Sequence, residues 1–321
     1  MTIYLTESDV RSLLTMPIAL EAVTDCFRRL AAGTAEVQPR RRLRFAERGL
    51  MHYMAACDSH AGYFGMKIYT TGPNGARFLV PLYRVDTSEL VALIEADYLG
   101  QMRTGAASGV ATRAMARADA RTVGIIGTGL QARTQLEAVV HAIKVERVRA
   151  FGRDATRREN FAREMAAKLS VEVTPVTSAE EAVRGADVVI VMTSSVKPVL
   201  EGRWLEPGMH INGAGANFAH KAELDAEAVN RCDAIAADSV EQAKGEAGDL
   251  IQTFGDDASK WSKVREVSDI ISGKIAGRSE ARQVTLFKSI GIASEDIATA
   301  ARVYEMAREK GIGREMPMWQ R

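Results

Sequence analysis

The sequence predicts an α/β protein, a doubly wound parallel sheet joined to a mixed α+β domain, and three observations carry that prediction. From Arg121 onward, short β-branched runs alternate with helical stretches. Within that part, Gly127-Thr-Gly129-Leu-Gln-Ala132 stands between a buried-strand pattern and a helix. Ahead of it, Leu50–Met54, Tyr63–Tyr69, Phe78–Val85 and Leu90–Glu95 are strand-like runs parted by Gly, Pro, Asn and Asp, the mark of an antiparallel sheet. At 321 residues, two domains are the natural division.

In chain order, Thr6-Glu-Ser-Asp9 is rich in capping residues and starts a short helix through Leu13 and Leu14. Pro17 suits the first turn of a second helix, with a buried stripe of Ile18, Ala22, Val23, Cys26, Phe27 and Leu30, and Gly33 stops it. After the antiparallel strands, the Ala-rich segment Thr104–Ala116 favours a tightly packed helix. The parallel sheet is expected to use Val123–Gly127, Arg147–Phe151, Val171–Pro175, Asp187–Met192, His210–Gly213 and Asp233–Ala236, a complete doubly wound (Rossmann) set of six. The amphipathic helix Ser294–Lys310 is then free to return to the first domain. The expected domains are residues 1–118 with 300–321, and 119–299.

Composition narrows the function classes. The chain is 46% hydrophobic and 26% charged, with net charge +1 and no basic block, so nucleic acid and membrane surfaces are poor partners. No apolar run approaches the ~20 residues of a membrane span, and MTIYLTESDV lacks the features of a signal peptide. Cys26, Cys57 and Cys232 are scattered, without the spacing of a zinc site. The five histidines show no metal spacing either. These features lead us to expect a cytoplasmic protein without a metal.

The glycine-rich turn is the dinucleotide fingerprint in its G-x-G-x-x-A form. Gly127 permits the tight turn, Gly129 lets backbone approach a pyrophosphate, and Ala132 keeps strand and helix close. The pyrophosphate then meets the free N–H groups of a helix N-terminus. The second strand should end in an acid if a ribose 2′-hydroxyl is bound. Here Arg153 takes that place, followed by Asp154, Thr156 and Arg157. A planar, permanently charged fork suits a 2′-phosphate, so NADPH is favoured, with NADH possible through Asp154.

Outside the fingerprint, three places hold candidate anion-binding cations: Arg40-Arg41-Arg42, Lys67 within an apolar strand, and Arg103 heading the small-residue helix. An unpaired buried ammonium is costly, so Lys67 calls for an anion, either a substrate carboxylate or a structural Asp. Together the cations could clamp a carboxylate; structural ion pairs would give the same pattern.

These motifs, with Ile94-Glu-Ala-Asp97, Met102-Arg-Thr-Gly105, Gly202-Arg-Trp-Leu, Gly213-Ala-Gly-Ala-Asn217, Glu223-Leu-Asp225 and Phe287-Lys-Ser-Ile-Gly291, resemble the ornithine cyclodeaminase/μ-crystallin family over nearly the whole chain. The resemblance implies a homodimer joined through the sheets of the first domains, NAD(P) in the second domain, and a small imino or amino acid substrate in the cleft. It makes Arg41 or a neighbouring Arg, Lys67 and Arg103 the carboxylate ligands, with Lys67 also the proton donor or electrophilic partner. It makes Leu130 and Gln131 pyrophosphate contacts, and Thr193, Ser194, Gly213, Lys221 and Ser289 contacts around the nicotinamide and its ribose. Ile290 would line the substrate pocket.

Two departures bear on the reaction. Asn217 stands where related enzymes carry an Asp, and an amide is no general base near neutral pH. His52 stands where a cyclodeaminase Glu would hold a distal ammonium. Both point away from ornithine. Asp225 is near Asn217 but reads mainly as a helix N-cap. Trp204, Phe218 and Met51 could line an apolar pocket or simply pack in a core. The expected activity is an NADPH-preferring imine (ketimine) reductase, with Lys67, Asn217 and Arg103 at the chemistry. The alternatives are an ornithine cyclodeaminase-like lyase or alanine dehydrogenase-like enzyme, and a non-enzymatic NADPH-binding protein.

Overall fold

The computed structural model describes residues 1–46, 49–72 and 75–318. The chain opens with β1 (Thr2–Leu5), α1 (Glu7–Leu13) and α2 (Met16–Ala31). Thr6 and Asp9 form a reciprocal capping box at α1, and Pro17 lies in the first turn of α2. Strands β2 (Ala35–Val37), β3 (Arg41–Ala46), β4 (Gly49–Asp58), β5 (Tyr63–Gly72), β6 (Gly75–Arg84) and β7 (Leu90–Glu95) follow, then helix α3 (Asp97–Met115).

The next stretch alternates strand and helix. It runs β8 (Thr122–Ile126), α4 (Leu130–Ala142), β9 (Arg147–Phe151), α5 (Ala155–Leu169), β10 (Glu172–Pro175), α6 (Ala179–Val183), β11 (Val188–Val191) and β12 (His210–Gly213). It continues with α7 (Ala226–Asn230), β13 (Ala234–Ala237), α8 (Val240–Glu246), α9 (Gly248–Phe254), α10 (Ala258–Trp261), β14 (Val264–Glu266), α11 (Val267–Ile271) and β15 (Thr285–Lys288). Every pairing in this sheet is parallel, in the order β10-β9-β8-β11-β12-β15-β13-β14. The central strands are buried on both faces, as their unbroken Val and Ile runs require.

Two of these eight strands were not expected from the sequence. β14 has only three residues, and β15 ends in Lys288, a lysine that is wholly buried. A charged residue in a four-residue strand hides the pattern of a core strand.

The chain closes with α12 (Ala293–Lys310) and β16 (Arg314–Met316). β16 pairs with β1, completing an eight-stranded sheet in the order β16-β1-β7-β6-β5-β4-β2, with β3 paired to β4. α12 packs on α2, β4 and β5. The chain therefore divides into two compact units, residues 1–103 with 291–321, and 104–290. The expected boundaries lay at 118/119 and 299/300; the observed ones fall within α3 and just ahead of α12. A cut at 299/300 would split α12, which is buried all round from Ala293 to Ala301 and along one side through Val303, Tyr304 and Ala307.

Among the described residues, no helix is long and apolar enough to cross a membrane, and no group of three or more His, Cys, Asp and Glu side chains is placed to hold a metal ion.

Candidate active site

In the first unit the strand register sorts the candidate cations. β4 and β5 pair antiparallel with Met54 opposite Lys67 and His52 opposite Tyr69, while β3 sets Arg42 opposite His52. Directly opposed residues point to one face, so Arg42, His52, Met54, Lys67 and Tyr69 share the face that α12 covers. Arg41 pairs with Tyr53 and is exposed on the other face. Of the expected Arg41 or a neighbouring Arg, Arg41 thus lies on the face away from Lys67, and Arg42 lies on the face with it. Arg40 is buried and donates to the Gly291 carbonyl at 2.7 Å.

Lys67 and Arg103 meet on one carboxylate. Lys67 Nζ donates to Asp296 Oδ1 at 2.8 Å, and Arg103 Nε donates to the same oxygen at 2.9 Å. Arg103 Nη1 donates to Glu295 Oε2 at 2.8 Å. All four side chains are at most 6% exposed. Burial, and then the Arg103 charge, push the Lys67 ammonium down to about 8, against the pull of Asp296. Burial opposes the Arg103 charge too, but Asp296 and Glu295 outweigh it and hold the guanidinium above its ordinary range. Asp296 Oδ2 is buried with no hydrogen-bond partner among the described residues. A buried lysine that loses its proton near pH 8 is a competent proton donor and acceptor.

The wall beside this cluster is aromatic. His52 stacks on Tyr69 at 4.3 Å and Tyr69 on Phe78 at 4.9 Å, and Lys67 Nζ stands 5.3 Å from the Phe78 ring centre. Burial, then the charges of Arg42 and Arg40, lower the His52 imidazole to about 4. It is neutral at physiological pH and brings no negative charge to a distal ammonium.

In the second unit a cavity of about 770 Å³ opens along the fingerprint, at the carboxyl ends of β8, β9 and β11. Ligands of doubly wound sheets bind at this end. Gly127 has φ +114°, and a Cβ there would stand 2.0 Å from the Met192 carbonyl oxygen. Gly129 is the N-cap of α4, and a Cβ built on it meets no atom within 4 Å. No side chain caps this helix, whereas Asp154, Ser178, Asp225 and Ser239 cap α5, α6, α7 and α8. The first amides of α4 are therefore left for a ligand. An open approach at Gly129 and an uncapped helix dipole fit a pyrophosphate.

At the far end of the cavity, Arg153, Asp154 and Arg157 are exposed and line its wall. Asp154 Oδ1 accepts the Arg157 N–H at 2.8 Å. Thr156 is exposed outside that wall.

The family model described as the ornithine cyclodeaminase/mu-crystallin family matches residues 1–311. The chain belongs to this family. An alanine dehydrogenase of Archaeoglobus fulgidus is 34% identical over 97% of both chains. The solved structure of Thermococcus litoralis Δ1-pyrroline-2-carboxylate reductase, in complex with NADH and L-proline, superposes with a TM-score of 0.94 at 34% identity, covering 98% of this chain and 100% of that one. An archaeal alanine dehydrogenase dimer with bound NAD superposes at 0.92 with 32% identity, over 99% of each chain.

The fold places the other family positions as follows. Thr193 and Ser194 line the cavity after β11, with Gly127, Gly129, Leu130, Gln131 and Ala132 at its fingerprint end. Ala132 is fully buried and Leu130 is 59% exposed. Gly213, Ser289 and Ile290 stand at the ends of β12 and β15, off that wall. Ser289 Oγ and the Ile290 N–H donate to Asp238 Oδ2 at 3.2 and 2.9 Å. Lys221 Nζ lies 5.1 Å from the Phe218 ring centre. Asn217 is half-buried in the loop after β12. Asp225 caps α7, its Oδ1 accepting the Ala228 and Gly202 N–H groups. Trp204 is a core residue; Met51 and Phe218 are only half-buried.

Sequence reasoning missed Glu295 and Asp296, the carboxylates that meet Lys67 and Arg103. Acids in the first turn of a helix read as complements to its dipole. The signal available was that Asp296 continues the apolar stripe of Ala300, Val303 and Ala307 on α12.

Proposed function

We propose that the chain is an NAD(P)H-dependent oxidoreductase that reduces the C=N bond of an α-imino acid, free or formed from a 2-oxo acid and an amine, to an amino acid, with NADPH preferred. The observation that carries this reading is the buried Lys67–Asp296–Arg103 cluster, with Lys67 poised near pH 8.

The bound nicotinamide supplies hydride to the imine carbon; everything else is done by the chain. Arg103 uses Nε and Nη1 on Asp296 and Glu295, which fixes its plane. Its Nη2 edge and Arg40 receive the substrate carboxylate. Lys67 Nζ protonates the imine nitrogen, a step eased because Arg103 already disfavours a second charge beside it. A protonated imine needs no strong base, which suits an amide, Asn217, in place of an acid. Neutral His52 and the Tyr69–Phe78 stack shape an uncharged side-chain site. The Arg153 and Arg157 guanidiniums meet the 2′-phosphate, which supports NADPH, although the relatives above were solved with NADH and NAD.

The alanine dehydrogenase likeness favours a second reading, reductive amination of a 2-oxo acid by ammonia, which shares the imine step. Absorbance at 340 nm separates these readings. Oxidation of NADPH by preformed Δ1-pyrroline-2-carboxylate without ammonia establishes imine reduction. Oxidation only with pyruvate plus ammonia selects the dehydrogenase. No oxidation with either, or with NADH, refutes both.

We also propose a homodimer formed over the outer face of the first sheet. Leu43, Tyr53 and Leu79 share that face by register and are 56%, 38% and 37% exposed. Light scattering should report two chains for the native protein and one for Leu43→Asp. A native protein of single-chain mass refutes the dimer.

A further inference from the structure

Glu223 belongs to none of the roles above, yet it is wholly buried and commands two loops at the ligand end of the second sheet. Its Oε1 accepts the Thr193 N–H at 2.6 Å, in the loop after β11. Its Oε2 accepts the Gly215 and Ala216 N–H groups at 2.7 and 2.9 Å, in the loop after β12. β11 and β12 are adjacent parallel strands, so one carboxylate ties their exits together. The approach requires glycine at 215: a Cβ there would stand 2.4 Å from Glu223 Oε1 and 2.5 Å from the Thr193 carbonyl oxygen.

The anchor itself is fixed from behind. The Glu223 and Leu224 N–H groups donate to Asp249 Oδ1 at 2.5 and 2.9 Å, and the Glu223 carbonyl accepts the Val199 and Leu200 N–H groups. Asp249 Oδ2 lies 2.6 Å from Lys288 Nζ, with both side chains fully buried. The charged groups facing Glu223 are thus Asp249 from α9 and Lys288 from β15.

We infer that Glu223 is a positioning residue whose ionised carboxylate holds Thr193 against the nicotinamide side of the dinucleotide cavity and keeps the Asn217 loop in register with it. This rests on the dinucleotide reading of the second unit. Three backbone N–H groups need an acceptor, and a protonated carboxyl presents one O–H donor in place of an acceptor. Burial raises the Glu223 carboxyl to about 7, against the pull of Lys288 and the Thr193 N–H, so the switch between those forms falls in an accessible pH range.

The test uses the full chain. Reduced-nicotinamide fluorescence gives Kd for NADPH between pH 5.5 and 8.5, and competition gives Kd for ADP, which lacks the nicotinamide half. In the native protein NADPH affinity should fall several-fold as pH drops below about 7, while ADP affinity stays level. Glu223→Gln places an amide donor against a backbone N–H; it should weaken NADPH at least 10-fold at pH 8, spare ADP and flatten the pH profile. If that variant does not fold, Gly215→Ala presses on the same carboxylate without removing its charge and should weaken NADPH more than ADP. Native-like NADPH affinity in the variant, or equal losses for NADPH and ADP, overturns the role. Binding of ADP but no reduced dinucleotide by the native protein refutes the dinucleotide reading itself, and the role with it.

Discussion

Replacing Asp296 by Asn removes the one carboxylate that serves both Lys67 and Arg103. Oδ1 takes the two cations at 2.8 and 2.9 Å, and neither partner's side chain is more than 6% exposed. An Asn oxygen can accept from one of them but carries no charge, so two buried cations face each other with only Glu295 as counter-charge. Breaking a buried pair by removing one partner costs about 3–5 kcal/mol. With a urea m-value of ~2–3 kcal/mol/M, the midpoint should drop by about 1–2.5 M. The same change acts on Lys67. A unit charge at 2.8 Å contributes about 6 kcal/mol even at an effective dielectric of ~20. A quarter of that moves the ammonium by about one pH unit. The alkaline limb of imine reduction, where the rate falls as Lys67 loses its proton, should lie near pH 8 in the native enzyme and at least one unit lower in Asp296→Asn. Urea melts and a pH profile of kcat/KM read the two effects separately. An unchanged urea midpoint would show that the pair is not a structural unit. An unmoved alkaline limb would remove Lys67 as the proton donor.

Lys67→Met should abolish turnover and leave Kd for NADPH within about twofold, measured by single-turnover absorbance and fluorescence titration; retained turnover excludes the donor role. Arg153→Asp should lower the NADPH-to-NADH ratio of kcat/KM at least tenfold, since a carboxylate in that place repels a 2′-phosphate and binds a ribose hydroxyl. Buried His52 and His210 are held down to about 4 and about 3, burial being the main cause in each. The unfolded chain therefore binds these protons first, and stability is lost as pH falls from 6.5 toward 4, on the order of 3 kcal/mol for each histidine. Urea midpoints between pH 8 and 4 should fall accordingly, and His52→Phe should reduce the slope; an identical slope in the variant excludes His52.

What the sequence makes legible is whatever depends on local pattern. The fingerprint needs strand, turn and helix in immediate succession, and β8, Gly127–Gly129 and α4 supply them within twenty-one residues or so, a span that local rules cover. The α1 capping box is likewise contained between Thr6 and Asp9. The substrate-side charges are another matter. Asp296 lies 229 residues from Lys67 and 193 from Arg103, and no periodicity connects positions so far apart. Arg40 and Arg41 differ only in which face of a sheet they take, which is set by a register with β4 that the sequence alone leaves open. Lys288 looks polar and is core, because its partner Asp249 comes from a different element.

On the proposed reading, the buried charges around Lys67 also constrain the substrate. Arg40, Lys67 and Arg103 are three cations there, Glu295 and Asp296 are two carboxylates and His52 is neutral, while buried Asp58 is paired with Arg29. With Lys67 protonated the set carries one excess positive charge, which is costly in isolation and is met by a single carboxylate. A neutral imine bearing one carboxylate brings that charge and no other. Once Lys67 passes its proton to the nitrogen, the Lys67–imine pair keeps its net charge and the charge has only moved onto the atom that polarises the C=N bond. A diamino acid would add a cation beside Arg40 and Arg42 with no acid on the His52 wall, among the described residues, to receive it. On this charge balance, the proposed reading has His52 turning the site from diamino acids toward imino acids with uncharged side chains.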